Sequence, residues 1–409
     1  MQPEYRRAFN AAFTDARYDA YVRRLQSNSG VVGFRLAETP VFFAESLVRR
    51  CENAAREIVA QLGEAERLRR MRAAVPERFA CEDGSPLPQF AVVDFAIASA
   101  PDGTLVPRVV ELQGFPSLYA FEVFQRDAWA VELEEALPGY AWSSWFSGLE
   151  RASYLDLLRR TIVGACDPHA VVLLDIEPEL QKTACDFVAT HALFGVEAAD
   201  PRGLVRRGTK LYRRDAAHRE VRVERIYNRL VGDDLARIAP LLPFDLRDEI
   251  ACTWAPHPRW FWQWSKASLP FLDHPAVPQT RLLSEIDRLP ADLSESYVLK
   301  PLFSFAGGGV DIHPTPAACA AIPVAQRDGW CLQEKIAYAG ALVTPDASPV
   351  KVELRIMFLR PDGENELVAA TNLARLSRGD MHGVDHNKDL TWVGSSIGLW
   401  DAGNSGGGA

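Results

Sequence analysis

Two carboxylates and an amide stand on neighbouring apolar runs early in the chain: Asp94 in "VVDFA", and Glu111 with Gln113 in "VVELQG". Strand residues two apart face the same side, so Glu111 and Gln113 point together. A "PDG" turn between the runs brings Asp94 beside them across a hairpin. Two carboxylates and an amide oxygen form a donor set for Mg2+ carrying nucleotide phosphates. The bland reading is a strand end with solvated acids. Much later, "LKPLFSFAGGGVDI" (residues 299–312) sets Lys300 and Pro301 ahead of Gly307, Gly308 and Gly309. Glycines between strands allow close backbone approach and outward N–H groups that donate to phosphate oxygens. A lysine on the preceding strand meets phosphates as a fixed point charge. The stretch is neither a Walker A motif nor a GxGxxG fingerprint, because the lysine precedes the glycines. Alone it reads either as an ordinary hairpin or as a phosphate lid.

Other polar residues could join such a site. "CLQEKI" carries Gln333, Glu334 and Lys335, able to meet adenine if the segment links two lobes; by itself it reads as an exposed strand end. Arg355 in "VELRIMF", and Arg375 with Arg378 in "NLARLSR", place cations on adjacent strands, where they neutralise a transferring phosphoryl group or pair with surface acids. Lys266 in "WSKASLP" lies among aromatics, either as a ligand-binding cation or as a snorkelling lysine. Nucleophile motifs such as GxSxG are missing, and Gly383 between His382 and His386 argues against a helical metal pair.

These residues need elements to position them. A chain of 409 residues suits two or three joined lobes, and 48% apolar with 24% charged residues is ordinary for a globular protein. A net charge of -9 speaks against a nucleic-acid partner. Seven cysteines without CxxC pairs signal neither a disulfide framework nor a structural metal. The charged N-terminus does not read as a signal peptide, and no long apolar run predicts a membrane span, so the expected location is cytoplasmic.

Thr39–Pro40 reads as the cap and first turn of a helix running to about Gly63. The two acid-bearing runs read as a hairpin, followed by a helix over 119–137. "HAVVLLDI", the helix "PELQKTACDFVATHALFG" closed by Gly195, and the strand "VRVERIYNRLV" resemble a small doubly wound α/β unit. After a Trp-rich stretch, "ESYVLKPLF", "VDIHP", "GWCLQEKIA", "VKVELRIMFLR" and "ELVAATNLARLSR" read as strands, the last two a hairpin around "PDGEN". The expected class is α+β with a small α/β domain and N-terminal helices.

In this order the pieces resemble the ATP-grasp ligases. The acid-bearing strands precede the lysine and glycine lid, the reverse of the usual arrangement. That order is similar to the circularly permuted group containing the C-terminal domain of glutathionylspermidine synthase. Asp94-Phe95, Glu111-Leu112-Gln113 and Phe115-Pro116-Ser117 match its early motifs. "WFWQWSKASLPFL", "LKPLFSFAGGGV", "LQEKI" and "NLARLS" match its later ones. The resemblance implies two α+β lobes gripping ATP. It assigns Mg2+ to Asp94, Glu111 and Gln113, and ATP to Lys266, Lys300, Gly307–Gly309, Gln333, Glu334 and Lys335. Arg375, helped by Arg355, would act on the transferred phosphoryl group. The implied segments are N-terminal helices (1–80), the metal-binding part of the catalytic lobe (81–150), the small α/β domain (151–250), the lid lobe with its hinge (251–340), the rest of the catalytic lobe (341–400) and a disordered tail (401–409).

The implied activity is ADP-forming ligation of a small-molecule or peptide carboxylate to an amine through an acyl phosphate, with no nucleic-acid or membrane partner. Phosphotransfer to another acceptor, or nucleotide binding without turnover, are the alternatives. Two departures stand out: Gln113 replaces the usual Asn, and Phe305-Ala306 stand where the family often carries Arg-Glu.

Overall fold

The computed structural model describes residues 1–73, 75–81, 84–215, 217–303, 308–379 and 390–402. The two acid-bearing runs form the hairpin their alternation demands: Phe90–Ser99 pairs antiparallel with Leu105–Gln113, and Gly103 takes φ 82° in the turn. Every residue of Phe90–Ser99 except the last is buried, so Asp94 lies in an otherwise apolar interior strand. The second expected hairpin, Pro349–Leu359 with Val368–Ser377, pairs along the other side of the Asp94 strand. Leu342–Val343 and Gly394–Ser396 complete a six-stranded antiparallel sheet.

Helices cover one face of this sheet. Glu45–Leu62 buries Leu47, Cys51, Ala55, Ile58 and Leu62 at helical spacing and packs on the Glu111 and Arg355 strands. Thr39–Pro40 does not start it. Val41–Phe42 first pairs parallel with Gly398–Asp401, so the helix begins only at Glu45. The Thr39 hydroxyl accepts instead from Arg6 Nη1 at 2.6 Å. The helix Phe121–Ala136 starts against a side chain from elsewhere: the Asp186 carboxylate accepts the N–H groups of Leu118, Ala120 and Phe121 at 3.0–3.1 Å. Asp186 is fully buried and paired with Arg229.

Asp186 belongs to helix Ala184–Phe194, closed by Gly195 at φ 72° as its sequence predicts. This helix is part of the α/β unit, whose parallel sheet runs in the order Thr253–Ala255, Arg225–Asn228, Val171–Leu174, Glu197–Ala199. The run expected as a single strand, "VRVERIYNRLV", divides at Glu224. Glu220–Val223 joins an antiparallel sheet with Lys210–Arg214, and Arg225–Asn228 joins the parallel one. Arg225 anchors the change, donating to Thr161 O and Ile162 O at 2.8 Å.

A third sheet pairs Thr280–Leu282, Trp330–Glu334 and Tyr297–Pro301 antiparallel. One of its faces buries Leu299 and Leu332 against Leu283, Leu293, Cys319 and Ile322. The other carries Lys300 toward the Glu111 strand. "VDIHP" is not a full strand; only Asp311 bridges, exchanging both backbone bonds with Leu299 at 2.9 Å. The segment leaving the lid sheet is tied to the Asp94 strand: Ser99 N–H donates to Ala337 O at 3.1 Å and Ala339 N–H to Ile97 O at 3.0 Å. The Trp-rich stretch forms Arg259–Gln263 and the 3-10 turns Lys266–Phe271. It docks on Gly114, whose N–H donates to Trp264 O at 2.8 Å.

Asp401 and Ala402, which the sequence reading puts in a disordered tail, make backbone pairs. Asp401 still pairs with Trp142, and Ala402 N–H donates to Ala141 O at 2.8 Å; residues 403–409 lie outside the described ones. All seven cysteines are free thiols. No described helix is long and apolar enough to cross a membrane.

A Cβ at Gly114 would stand 2.9 Å from Trp260 O and 3.0 Å from Trp264 Cβ. Gly114→Ala is therefore expected to cost about 1–3 kcal/mol through overpacking against backbone. Urea denaturation checks this; a midpoint equal to that of the parent protein would remove the close approach from the account.

Candidate functional site

The sheet register builds the centre of the site. Asp94 lies directly opposite Arg355 on one neighbour and Glu111 on the other, and Arg375 lies opposite Glu353 one strand further out. Because side chains alternate, Asp94, Glu111, Glu353, Arg355 and Arg375 share one face, away from the helices. Arg355 grips the fully buried Asp94 with both ends of its fork, Nε to Oδ1 at 2.6 Å and Nη2 to Oδ2 at 2.7 Å. Arg375 Nη2 adds a bond to Oδ2 at 2.5 Å and meets Glu353 at 2.9 Å. Glu353 in turn accepts from the Tyr338 hydroxyl at 2.6 Å. Burial pushes the Asp94 carboxyl up, but Arg355 and Arg375 outweigh it and hold it below the usual carboxylate range. For both arginines, burial disfavours the charge and Asp94 reverses that, leaving their pKa values raised.

This changes the expected role of Asp94. Both of its oxygens, expected to meet Mg2+, are bonded to guanidinium groups set by the ladder, so here it is the counter-ion of Arg355 and Arg375. Gln113 turns its amide nitrogen, not its oxygen, to Glu111 Oε1 at 3.2 Å, and Arg355 Nη2 stands 4.0 Å from the same oxygen. Glu111, partly exposed, meets this network only at its edge, through the 4.0 Å approach of Arg355. Among the described residues no three His, Cys, Asp or Glu side chains gather for a metal ion. The residues present do not fit the magnesium that the resemblance implies.

Above this face lies the lid sheet. Lys300 pairs with Cys331 across its ladder, so Lys300, Cys331 and Gln333 share the face turned to the Glu111 strand. The Lys300 ammonium donates to Gln333 Oε1 and reaches within 3.5 Å of Val110 O. Val110 is the extra residue of a β-bulge between Glu111 and Val109, where the register against Asp94-Phe95 shifts. Burial lowers the Lys300 pKa; nearby Lys266 adds to this, while Glu111 opposes it. Lys266 is buried and, with Glu111, Gln113 and Ser265, lines a small cavity of about 30 Å3.

The expected adenine contacts separate. Alternation puts Glu334 on the opposite face from Gln333, where it is exposed and meets Arg108 at 3.3 Å. Lys335 also turns away, its ammonium donating to Ser294 O at 2.7 Å. Gly308 and Gly309 are exposed beyond the Lys300 strand, Gly309 at φ 72° with Pro301 beside it. Gly307, and the pair Phe305-Ala306, lie outside the described residues, as do His382 and His386. Arg378, an odd number of residues from Arg375, takes the other face and donates to Thr344 Oγ1 at 3.0 Å.

Sequence reasoning passed over Glu353 and Tyr338. The signal for Glu353 was available, since it stands two residues before Arg355. Two buried N–H groups in the cluster, Gln333 Nε2 and Arg375 Nε, have no acceptor among the described residues. Each such orphan costs about 1–3 kcal/mol.

Asp94→Asn leaves two arginines without their shared charge and is expected to destabilise by about 3–5 kcal/mol at neutral pH. The folded pKa of Asp94 lies below its unfolded value of about 4. Its stabilisation is therefore complete above that value and is lost as pH falls through the depressed folded value. Urea denaturation at successive pH values should show the parent–variant gap closing in acid; a gap that widens there contradicts the clamp.

No family model and no curated protein matches the chain. Among solved structures it is similar to a glutathione synthetase-like effector, GSS30, from Globodera pallida, in its apo form. The TM-score is 0.59 at 12% identity, over 94% of this chain and 96% of that one. At that identity the likeness speaks for the fold alone, a mixed α+β architecture shared over nearly the whole of both chains.

Proposed function

We propose that the chain is an ATP-grasp-like carboxylate–amine ligase holding a nucleoside triphosphate between the lid sheet and the arginine-bearing face. The observation that carries this is the meeting of Lys300 and Lys266 from the lid side with Glu111 and Gln113 from the central sheet, beside Arg355 and Arg375. These pieces are remote in sequence, and the fold likeness to a glutathione synthetase-like protein supports the same reading.

A carboxylate resists amines because its leaving oxide is strongly basic. Transfer of the γ-phosphoryl group to a carboxylate oxygen gives ADP and an acyl phosphate. The amine nitrogen then attacks the carbonyl, the bond to the phosphate oxygen breaks, and the nitrogen loses its proton. In this reading Lys266 and Lys300 bind the α- and β-phosphates and Gly308–Gly309 close over them. Arg375, braced by Asp94 and Glu353, faces the charge on the transferring group. The present gap admits no nucleotide, so entry requires the lid sheet to rise.

A second reading, nucleotide binding without turnover, is favoured by one observation: Asp94 is committed to its arginines. A screen of amino acids, peptides and polyamines for ADP release separates the two. Release that depends on both acid and amine supports ligation; ATP binding without release under every pair supports the second reading. Lys300→Ala is expected to weaken ATP binding about 10–100-fold, the worth of a charged hydrogen bond. Full turnover by that variant would sink the site.

A further inference from the structure

The α/β unit carries an antiparallel sheet that the nucleotide reading does not use: Val205–Arg207, Lys210–Arg214 and Glu220–Val223, paired in that order. We propose that its outer face binds a single-stranded nucleic acid, with phosphates held by Lys210 and Arg214 and a base stacked on Tyr212.

The register builds this face. Leu211 and Val223 turn inward and join a core with Val172 and Ile226 of the parallel sheet. Arg213 is buried on the same side and donates to His169 O at 3.1 Å. Alternation then sends Lys210, Tyr212 and Arg214 outward. Directly opposite them stand Arg207, Arg222 and Glu220 on the two neighbouring strands. Tyr212 is partly exposed and the other five are exposed. Backed by a core, the face needs no reordering to receive a guest.

Its charge departs from that of the chain. Glu220 is taken by the fork of Arg207, at 2.8 and 3.1 Å, and Glu224 stands 3.5 Å from Arg222. Lys210 and Arg214 remain as a positive surplus, with no ion pair among the described residues. The chain as a whole has 54 acids against 45 lysines and arginines, so the sum that speaks against a nucleic-acid partner conceals a face of the opposite sign.

The ring selects among polyanions. Tyr212 lies between Lys210 and Arg214, about 7 Å along the strand from each, and the Arg207 guanidinium stands 6.0 Å from its centre. An aromatic among cations on an open sheet suits unpaired bases, whose flat faces stack while the phosphates meet the charges. A lipid surface asks for apolar side chains that enter it. Beside Tyr212 the face offers only the partly buried Val205.

Fluorescence anisotropy of the full chain with a labelled oligothymidylate, across a salt series, tests this. Binding should weaken as salt rises, and Lys210→Ala and Arg214→Ala should each flatten the log–log slope by about 0.7. Tyr212→Ala should weaken binding about fivefold or more, while Tyr212→Phe, which keeps the stack, stays within about twofold. Glu220→Gln removes the acid opposite Arg214 and should tighten binding about twofold or more, a gain that misfolding would not give. No binding at the lowest salt overturns the inference, as does an affinity and slope unchanged by Lys210→Ala and Arg214→Ala. A duplex held as tightly as the single strand, with Tyr212→Ala silent, also overturns it. Anionic vesicles retained through the same lysine and arginine, with no oligonucleotide bound, would overturn it in favour of a membrane.

Discussion

The structure depends on one buried carboxylate and its two guanidinium partners. Taking Asp94 out of water is costly, and only a two-point grip of the Arg355 kind, with Arg375 added, makes its ionised form the stable one. That grip requires Arg355 directly across the ladder. A slip of one residue would turn its side chain to the helix-covered face and leave an acid alone in an apolar strand. The register of the central sheet is thus tied to its electrostatics, and the placement of Glu353 and Tyr338 follows.

The α/β unit is joined to the central lobe through Asp186, which caps a helix from outside its own segment and neutralises Arg229. The bulge at Val110 turns a carbonyl toward Lys300, giving the lid sheet a polar foothold where a regular strand would keep that oxygen in the ladder. Gly114 lets the Trp-rich turns sit close enough for Lys266 to line the same gap.

Both hairpins of the central sheet were legible because their alternation is local, and Gly195 was legible because a left-handed helix end asks for glycine. The role of Asp94 was not. Its main partner is 261 residues away in the chain, and a carboxylate in a strand looks the same whether a metal or an arginine will meet it. Thr39–Pro40 carries the composition of a helix start, but Val41 and Phe42 go to a strand pair formed with the far end of the chain. Gln333, Glu334 and Lys335 read as one polar group until the pleat divides them. The resemblance ordered the lysines, acids and glycines along the chain; it could not say which polar atoms would already be in use.

The backbone tie at Ala337 and Ala339 has a mechanical side. It flanks Tyr338, whose hydroxyl holds Glu353, the acid that shares Arg375 with Asp94. A displacement that drew this phenol away would remove one of the bonds that Glu353 accepts, and with it a constraint on the acid beside Arg375.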